Sequence, residues 1–409
     1  MSGRRLRLLF VLGFTPRTDA PHGGRAAAAM IQALAQKYEV GVIYLRDASL
    51  PLADRPFTEA CAVVEAVETG PPSGAGALLT RLRLAAGLVR GLPIIVSHAS
   101  VPELARRLAA LAERFDPDVI HFEPVEMAQY IPSVRHLRAR RVVVVHEPGA
   151  AGAAERLRSY PRLKRIARGL DVLAWRRFEQ TIGANADLLV TLTRRDEEVM
   201  RTQGARRVAR VPLAIPIPEA ALDPVGNWPP TALFVGGFTH PPNVDAALRL
   251  LRSIWPRVRQ ALPEPTLELV GSSPTPALRE AAGEGVVIHG RVPDLEPPLN
   301  AAAVVVLPIR LGGGMRVKSI EALASGKAVV ASARALEGLD VNDGREVVLA
   351  ETDEEFVEAM VRVLEDVELR RGLGTAARAW AEAHVSVDAV AAAYARLYLS
   401  LVEEPGAAS

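Results

Sequence analysis

Short apolar segments alternate with alanine-rich helical stretches along most of the chain, and this alternation restricts the fold more than any other feature. A segment that is apolar throughout fits a strand buried on both faces, as in parallel sheets covered by helices. The first half contains such segments at Leu6 to Leu12, Val40 to Leu45, Val119 to Phe122, Val142 to His146 and Leu188 to Leu192. The second half contains them at Ala232 to Val235, Leu267 to Val270, Val286 to His289, Val304 to Leu307 and Val329 to Ala331. The alternation predicts an α/β chain with two doubly wound parallel sheets.

The length and the prolines indicate where the chain divides. A chain of 409 residues is long for a single hydrophobic core, so two domains of about 200 residues each are expected. The stretch from Pro212 to Pro230 contains six prolines and is typical of a linker. We therefore expect a first domain at residues 1–215 and a second at residues 216–385, followed by a C-terminal helix with a short tail at residues 386–409.

A loop in the second half has the composition of an anion-binding site. Residues 307–332 read LPIRLGGGMRVKSIEALASGKAVVAS, in which three glycines follow a buried strand and precede a helix. Glycines let a ligand approach the backbone, and the N-terminus of the helix attracts phosphate. Arg316 and Lys318 reinforce that attraction, because both carry a positive charge. Glu321 lies about one turn after Lys318 and can accept hydrogen bonds from vicinal hydroxyls. The loop therefore predicts a site for a ribose beside a diphosphate.

This loop resembles that of the nucleotide-sugar glycosyltransferases of family 4, which have the GT-B architecture of two facing Rossmann-like domains. Further matching pieces occur in the family's order: Gly236-Gly237, Pro242-Asn243, Val270-Gly271, His289-Gly290, Asp294-Leu295 and Glu337-Gly338-Leu339. The resemblance is close over about 110 residues of the second half and loose in the first half. The chain departs from the family in one place. Glu321 matches the second glutamate of the family signature, whereas Gly313 occupies the position of the first, and the basic pair is typical of a subset of the family.

The resemblance implies that the helix at residues 386–409 packs back on the first domain. It also implies transfer of a hexose from a nucleoside diphosphate sugar to a glycan or lipid-linked acceptor, with retention of configuration. The residues that it implies for catalysis are His146, Arg316, Lys318 and Glu321. Those implied for donor binding are Gly236, Gly237, His240, Arg291, Val292, Gly312, Gly313, Gly314 and Met315, and those implied for acceptor binding are Gly23 and Gly24.

Alternatives stay open for several of these residues and for the activity. His146 follows a strand, where it either contacts the transferred sugar or is a structural histidine. Gly23 and Gly24 line either an acceptor loop or a simple tight turn, and Arg291 and Val292 lie either beside the nucleobase or in a plain exposed turn. The same architecture also serves sugar-nucleotide epimerases, and Gly313 is compatible with a noncatalytic paralogue that binds a nucleotide sugar.

The charge is distributed unevenly and suggests a membrane partner. Residues up to Ile215 contain 32 lysines and arginines against 21 aspartates and glutamates, whereas the remainder contains 17 against 26. Much of the excess lies between Arg156 and Arg177, where arginines alternate with apolar residues. This segment is either a basic amphipathic surface for anionic lipid or an ordinary solvated helix face. No recognition motif accompanies the charge, so nucleic acid is not an expected partner.

The single cysteine, the N-terminal segment and an Asp-Pro-Asp sequence bear on the cofactors and the location of the protein. Cys61 is the single cysteine, which excludes an intrachain disulfide and favours a reducing compartment. Arg4 to Gly13 predicts a first buried strand, because its apolar run is too short for a secretory signal. Asp116-Pro117-Asp118 precedes a strand, away from the expected site edge, so no metal site is predicted. We expect a cytoplasmic enzyme without cofactor, peripheral on the inner face of the membrane if the basic segment binds lipid.

Overall fold

The computed structural model describes residues 4–19, 23–69, 87, 90–157 and 162–404, with the side chains of residues 23 and 155–168 excepted. The chain divides into two compact units. The first unit consists of Met1–Ala214 together with Val390–Ser409, and the second consists of Ile215–Ala389.

The first unit is built on a parallel sheet. Its strands are β1 (Arg7–Leu12), β2 (Glu39–Arg46), β3 (Val63–Glu68), β4 (Val119–Glu123), β5 (Arg140–Val145), β6 (Leu188–Thr191) and β7 (Val208–Arg210). Within the described residues the sheet has seven strands in the order β3-β2-β1-β4-β5-β6-β7. The central strands are apolar throughout because helices cover both faces, and every residue from Leu8 to Leu12 is buried.

Helices connect these strands. They are α1 (Gly23–Ala35), α2 (Arg55–Ala60), α3 (Ile94–His98), α4 (Pro102–Phe115), α5 (Gly149–Leu157), α6 (Arg162–Asn185) and α7 (Arg194–Thr202), with a 3-10 helix at Val125–Val134. Helix α4 shows why they form, since it starts on a proline and buries a stripe of apolar residues spaced by three or four positions. It ends at Asp116, which has a φ of 46°. Asp116 and Asp118 both hydrogen-bond Arg4, so the Asp-Pro-Asp sequence forms part of an ion-pair cluster.

The second unit repeats the plan with a shorter sheet. Its strands are β8 (Thr231–Val235), β9 (Thr266–Val270), β10 (Val286–His289), β11 (Val304–Leu307), β12 (Val329–Ala331) and β13 (Val348–Leu349). Its described residues give six parallel strands in the order β10-β9-β8-β11-β12-β13.

Helices again flank the sheet. They are α8 (Pro241–Arg249), α9 (Trp255–Ala261), α10 (Pro276–Ala281), α11 (Glu296–Ala301), α12 (Val317–Ala324), α13 (Asp353–Glu365), α14 (Val367–His384) and α15 (Val387–Glu403), with a π-helical turn at Leu250–Ile254. Helix α13 begins with a capping box, in which Thr352 and Glu355 satisfy each other's backbone N–H groups. In the part of the chain described above, no helix is both long enough and apolar enough to cross a bilayer.

Helix α15 belongs to the first unit from Val390 onwards. Its buried residues form an apolar stripe of Val390, Ala391, Tyr394, Tyr398 and Leu401. Tyr394 and Tyr398 pack edge-on against the ring of His121, an interior residue of β4. The apolar run from Val119 predicts a strand that ends at Phe122, but the strand continues to Glu123.

The proline-rich stretch is bonded to the second unit over part of its length. The backbone N–H of Leu222 donates to Ser325, and that of Asn227 donates to Ala301. Two buried cations also hold the segment, since Lys327 donates to the carbonyl of Asp223 and Arg370 donates to the carbonyl of Val225. Residues 222–227 are therefore bonded to the rest of the second unit, within the stretch that the prolines predict to be a linker.

Each sheet has a point where the strand order reverses. In the first sheet β1 neighbours both β2 and β4, and in the second β8 neighbours both β9 and β11. Ligands of open parallel sheets bind beyond the carboxyl ends of the strands at such points, because neighbouring loops diverge there. The loops after β4, β8 and β11 are therefore the first places to look for a functional site.

Candidate functional site

The loops after β8 and β11 converge at the reversal point of the second sheet. Gly236 and Gly237 follow β8, and residues 308–316 follow β11. Gly312 and Gly314 have φ values of 81° and 79°, a left-handed conformation that residues with a side chain rarely adopt. The side chains of Lys318 and Asn243 close the space over Gly236, since a methyl group placed there would lie 2.9 Å from Nζ of Lys318. The predicted basic pair and the predicted Gly-Gly turn therefore belong to one site.

Lys318 is half-buried and is bonded to a neutral partner. Its Nζ donates to Oδ1 of Asn243 at 2.5 Å and lies 5.2 Å from the centroid of the Phe234 ring. The amide nitrogen of Asn243 donates in turn to the carbonyl of Gly237 at 2.9 Å, which fixes the orientation of the amide. An amide oxygen lowers the energy of the ammonium group without neutralising its charge, so Lys318 keeps its positive charge beside backbone glycines.

The electrostatic cost of this arrangement is visible in the pKa of Lys318. Burial and, secondarily, the charge of Arg316 lower that pKa from 10.5 to about 8, while Glu321 acts in the opposite direction. Burial and a neighbouring cation raise the free energy of a charged lysine, and a bound anion recovers much of that loss. The geometry and the pKa therefore both favour an anionic ligand.

Arg316 is the N-cap residue of α12, at the end of the glycine loop. Its Nη2 donates a hydrogen bond to the carbonyl of Leu311 at 3.1 Å. A methyl group added to Gly312 would lie 2.9 Å from the same nitrogen. The first turn of α12 contains no acidic residue. Helix N-termini carry a partial positive charge and outward N–H groups, which add to the charges of Arg316 and Lys318. This end of α12 can bind a diphosphate.

The other predicted donor-side residues are placed around this centre to different degrees. His240 is exposed at the N-cap of α8, and its pKa is lowered by partial burial of the ring and then by the charges of Arg316 and Lys318, so it lies near both. Glu321 is half-buried in the second turn of α12, and Gly313 and Met315 are half-buried in the glycine loop. Arg291 and Val292 follow β10 at the edge of the sheet, two strands from β8.

A second cluster occupies the first unit, at the carboxyl ends of β4 and β5. His146 directly follows β5, and its Nε2 lies 2.8 Å from Oε1 of Glu123, the last residue of β4. Behind Glu123, Nε2 of His121 lies 3.5 Å from Oε2, and Nδ1 of His121 is 2.7 Å from the hydroxyl of Tyr398. These four side chains form a continuous line from α15 to the surface at His146.

The charges of this line support one another. Burial, the largest single effect, raises the pKa of the Glu123 carboxyl, but the hydrogen bonds and charges of His121 and His146 outweigh it and hold that pKa far below its ordinary value. Burial likewise lowers the pKa of His146, and the hydrogen bond and charge of Glu123, with the charge of Glu126, raise it overall. The pair is therefore a carboxylate beside a ring that tends to stay protonated.

Two pockets, each of about 310 Å³, meet at His146. The first contains Glu123 and His146 among mainly apolar side chains, together with Phe14, Gly24, Ala26, Ala27, Met30, Pro124, Val144, Leu192, Pro212, Leu213, Ala214, Val390 and Tyr394. The second is lined by His146 with Ile95, Pro124, Val125, Glu126, Glu147, Pro148, Gly149, Gly152 and Trp175. Gly24, in the first turn of α1, thus shares a pocket with His146, and Gly23 begins that helix.

Sequence reasoning missed Glu123, Phe234 and Tyr398. The only signal for Glu123 is a carboxylate that ends an otherwise apolar strand, where ligands of parallel sheets bind. Tyr398 has no local signal, because its partner His121 is 277 positions away in the sequence.

The basic segment is described only in part. The side chains of its arginines and lysine up to Arg168 lie outside the described residues. Arg176 and Arg177 are exposed on α6, and Leu170 and Leu173 expose 64% and 43% of their surface on the same helix.

Comparison with known proteins agrees with this construction. Residues 229–366, about a third of the chain, match the family model for Glycosyl transferases group 1. No curated protein sequence matches the chain.

Solved structures share the whole fold at low sequence identity. Sucrose-phosphate synthase from Thermosynechococcus elongatus is 18% identical with a TM-score of 0.67, over 97% of this chain and 99% of that chain. HepE from Anabaena, in complex with UDP and glucose, is 14% identical with a TM-score of 0.62, over 97% and 100%. A glycosyltransferase from Rickettsia africae ESF-5 is 11% identical with a TM-score of 0.62, over 98% and 100%. The chain thus has a glycosyltransferase-like GT-B fold with two Rossmann-like units, as the sequence predicts.

Proposed function

We propose that the protein is a retaining glycosyltransferase that moves a hexose from a nucleoside diphosphate sugar to a glycan or lipid-linked acceptor. The second unit binds the donor, and the first unit supplies the acceptor side through His146 and Gly24. One observation carries the proposal: Lys318 and Arg316 lie together at the N-terminus of α12, with Lys318 against the backbone of Gly236. This is a built site for a diphosphate at the reversal point of a parallel sheet.

The site suits the chemical problem of glycosyl transfer. When the bond between the sugar and the diphosphate breaks, negative charge develops on the leaving phosphate oxygen. Lys318 and Arg316 are held by hydrogen bonds to Asn243 and Leu311 beside the N-terminus of α12, so the site needs little reorganisation. Losing one such preorganised group typically costs about 3 to 4 kcal/mol of transition-state stabilisation. Glu321 is proposed to bind the ribose hydroxyls, since a carboxylate accepts two hydrogen bonds.

Relatives of the fold support a nucleotide-sugar donor. The HepE structures contain UDP with glucose in one case and UDP-glucose in another. The group 1 match covers β8 to α13 and so includes Gly236, Lys318 and Arg316. Retention and a carbohydrate acceptor are proposed on the basis of the resemblance of the glycine loop to family 4.

The proposal is tested first by donor binding. Isothermal titration calorimetry with UDP, GDP and ADP, each followed by its glucose conjugate, is expected to reveal one preferred nucleotide. The same titrations of Lys318→Ala are expected to show at least tenfold weaker binding. Equal binding by the wild-type chain and by Lys318→Ala would show that the diphosphate does not bind at this site.

Turnover then separates the three activities. Incubation of the chain with the preferred donor and a panel of glycan acceptors, followed by mass spectrometry and NMR, is expected to show an acceptor-dependent product that keeps the donor's anomeric configuration. A free or isomerised sugar formed without any acceptor would indicate an epimerase. Nucleotide binding without any product would indicate a noncatalytic paralogue.

We also propose that the protein is cytoplasmic and contacts the inner face of a membrane through α6. Leu170, Leu173 and Arg177 follow the spacing of one helical face, which combines exposed apolar and basic groups. Phosphatidylglycerol vesicles are expected to carry the protein into the pellet on sedimentation. Vesicles of phosphatidylcholine alone are expected to leave it in the supernatant. Replacement of Leu170, Leu173 and Arg177 by serine is expected to reduce the difference, and equal sedimentation with both vesicles would contradict the proposal.

A further inference from the structure

The line of side chains behind His146 is centred on an acceptor. An ionised carboxylate only accepts, so Glu123 accepts from Nε2 of His146 at 2.8 Å and faces Nε2 of His121 at 3.5 Å. On the far side of the His121 ring, Nδ1 lies 2.7 Å from the hydroxyl of Tyr398. Burial raises the pKa of Tyr398 well above its ordinary value, so this hydroxyl keeps its proton. Glu123 is therefore the acceptor that holds the His146 ring from behind.

This arrangement determines which nitrogen of His146 is available to a ligand. Nε2 is committed to Glu123, which leaves Nδ1 for any other interaction. The His146 side chain is 38% exposed and lines both pockets, whereas Glu123 is 9% exposed. A ligand that enters from either pocket thus meets His146 before it meets Glu123.

The groups around the ring decide whether Nδ1 carries a proton. Glu123 on β4 bonds to the ring, and Glu126 on the 3-10 helix acts on it through its charge. Glu147, the next residue, lines the second pocket, and Tyr394 on α15 lines the first. No lysine or arginine lines either pocket as described, so the charged groups that face His146 are carboxylates. They stabilise an imidazolium, in which both nitrogens are donors.

We propose that Glu123 is a positioning residue that holds His146 as a charged hydrogen-bond donor, so that Nδ1–H of His146 binds an oxygen atom of the ligand and does not remove a proton from it. The oxygen belongs to a hydroxyl of a ligand that enters the two pockets of the first unit, since a hydroxyl oxygen accepts hydrogen bonds. The inference deepens the role of His146 in the proposed glycosyl transfer and rests on that function only for its kinetic test.

The first test needs no turnover. The full chain is labelled with ¹⁵N-histidine, and the ring signals of His146 are assigned by their loss in His146→Gln. In the wild-type chain the ring is expected to titrate above the ordinary histidine value of about 6.5, and in Glu123→Gln the midpoint is expected to fall by about 1 to 3 pH units. Tyr398→Phe, which alters the far end of the line, is expected to leave the midpoint close to that of the wild type.

Two results of this titration would overturn the proposal. One is a Glu123→Gln midpoint equal to or above that of the wild type. The other is a wild-type ring that is already neutral below a pH of about 6.5, which decides the question even if Glu123→Gln does not fold.

The second test uses the pH dependence of transfer at saturating donor. A donor group at His146 predicts that kcat falls as pH rises through the His146 midpoint and that this descending limb moves to lower pH in Glu123→Gln. A general base predicts the opposite limb, with kcat falling as pH decreases, and that outcome would contradict the proposal. If no transfer is observed with any acceptor, the proposed function fails while the titration still decides the state of His146.

Discussion

A lysine with a lowered pKa lies at each end of helix α12, and the two lysines have different hydrogen-bond partners. Burial is the main cause that lowers the pKa of both Lys318 and Lys327 to about 8. Lys327, just beyond the C-terminal end, is completely buried and donates to the carbonyl oxygens of Asp223 and Asn300. Lys318, in the first turn, is half-buried and donates to the amide of Asn243 beside a glycine turn. A buried lysine satisfied by backbone carbonyls stabilises the fold, whereas a half-buried lysine bonded to a neutral amide can still bind an anion.

The largest expected effect tests the functional side of this comparison. Lys318→Ala is expected to lower transfer by at least about 100-fold, because it removes a preorganised charge from the leaving diphosphate. The urea midpoint of the variant is expected to match or exceed that of the wild type, since a desolvated cation has been deleted. Lys37→Ala, at an exposed lysine of the first unit, is the matched control and is expected to change neither quantity. Turnover of Lys318→Ala at the wild-type rate would contradict the role of Lys318 in binding the leaving diphosphate.

Lys327→Ala tests the structural side. The change leaves the carbonyl groups of Asp223 and Asn300 without this donor and removes a fully buried side chain, so the free energy of unfolding is expected to fall by about 2 to 3 kcal/mol. Urea denaturation measures it. Donor affinity of the folded fraction, measured by calorimetry, is expected to stay at the wild-type value. Lost affinity at unchanged stability would move the anion-binding role from Lys318 to Lys327.

A smaller effect is expected from Gly236→Ala. The added methyl group would lie 2.9 Å from both Nζ of Lys318 and Cγ of Asn243, so the ammonium group and the amide must move apart. Donor affinity is expected to fall about tenfold, equivalent to about 1.4 kcal/mol, with little change in stability. Gly283→Ala is the control, because nothing lies within 4 Å of a methyl group at Gly283. Equal donor affinity in the two variants would show that Lys318 does not need its present position.

The smallest expected effect is the uptake of a fraction of a proton when the nucleotide binds. A pKa of about 8 leaves Lys318 partly neutral at slightly alkaline pH, and a bound diphosphate favours the charged form and raises that pKa. Nucleotide binding at a pH of about 8.5 is therefore expected to take up protons, and affinity is expected to fall as pH rises through this range. Calorimetry in buffers of different ionisation enthalpy measures the uptake. Proton release would contradict the sign, and Lys318→Ala is expected to show no uptake by this group.

The sequence predicts the fold well where strands are buried in the middle of a sheet. The bounds of β11 and β12 agree with the apolar runs, and β8 and β9 begin one residue before theirs. Strands β3, β7 and β13 have no such run. β3 lies at a sheet edge and includes Glu65 and Glu68, and β13 has two residues, so neither contains the apolar residues that mark a central strand.

The candidate site was predictable where its chemistry is local in sequence. Arg316, Lys318 and Glu321 follow one another on a loop and helix, so composition alone predicts an anion site there. Glu123 and His146 are brought together by the parallel pairing of β4 with β5, and the register of that pairing is a property of the sheet. Single residues at strand ends do not indicate that a carboxylate and an imidazole meet.

The attachment of residues 222–227 to the second unit has a practical consequence for producing that unit separately. A shortened gene that starts at β8 would delete the acceptors of Lys327 and Arg370 in that segment and expose both cations to a partly vacated interior. Such a fragment is expected to be insoluble, whereas one that starts at Ile215 retains these acceptors.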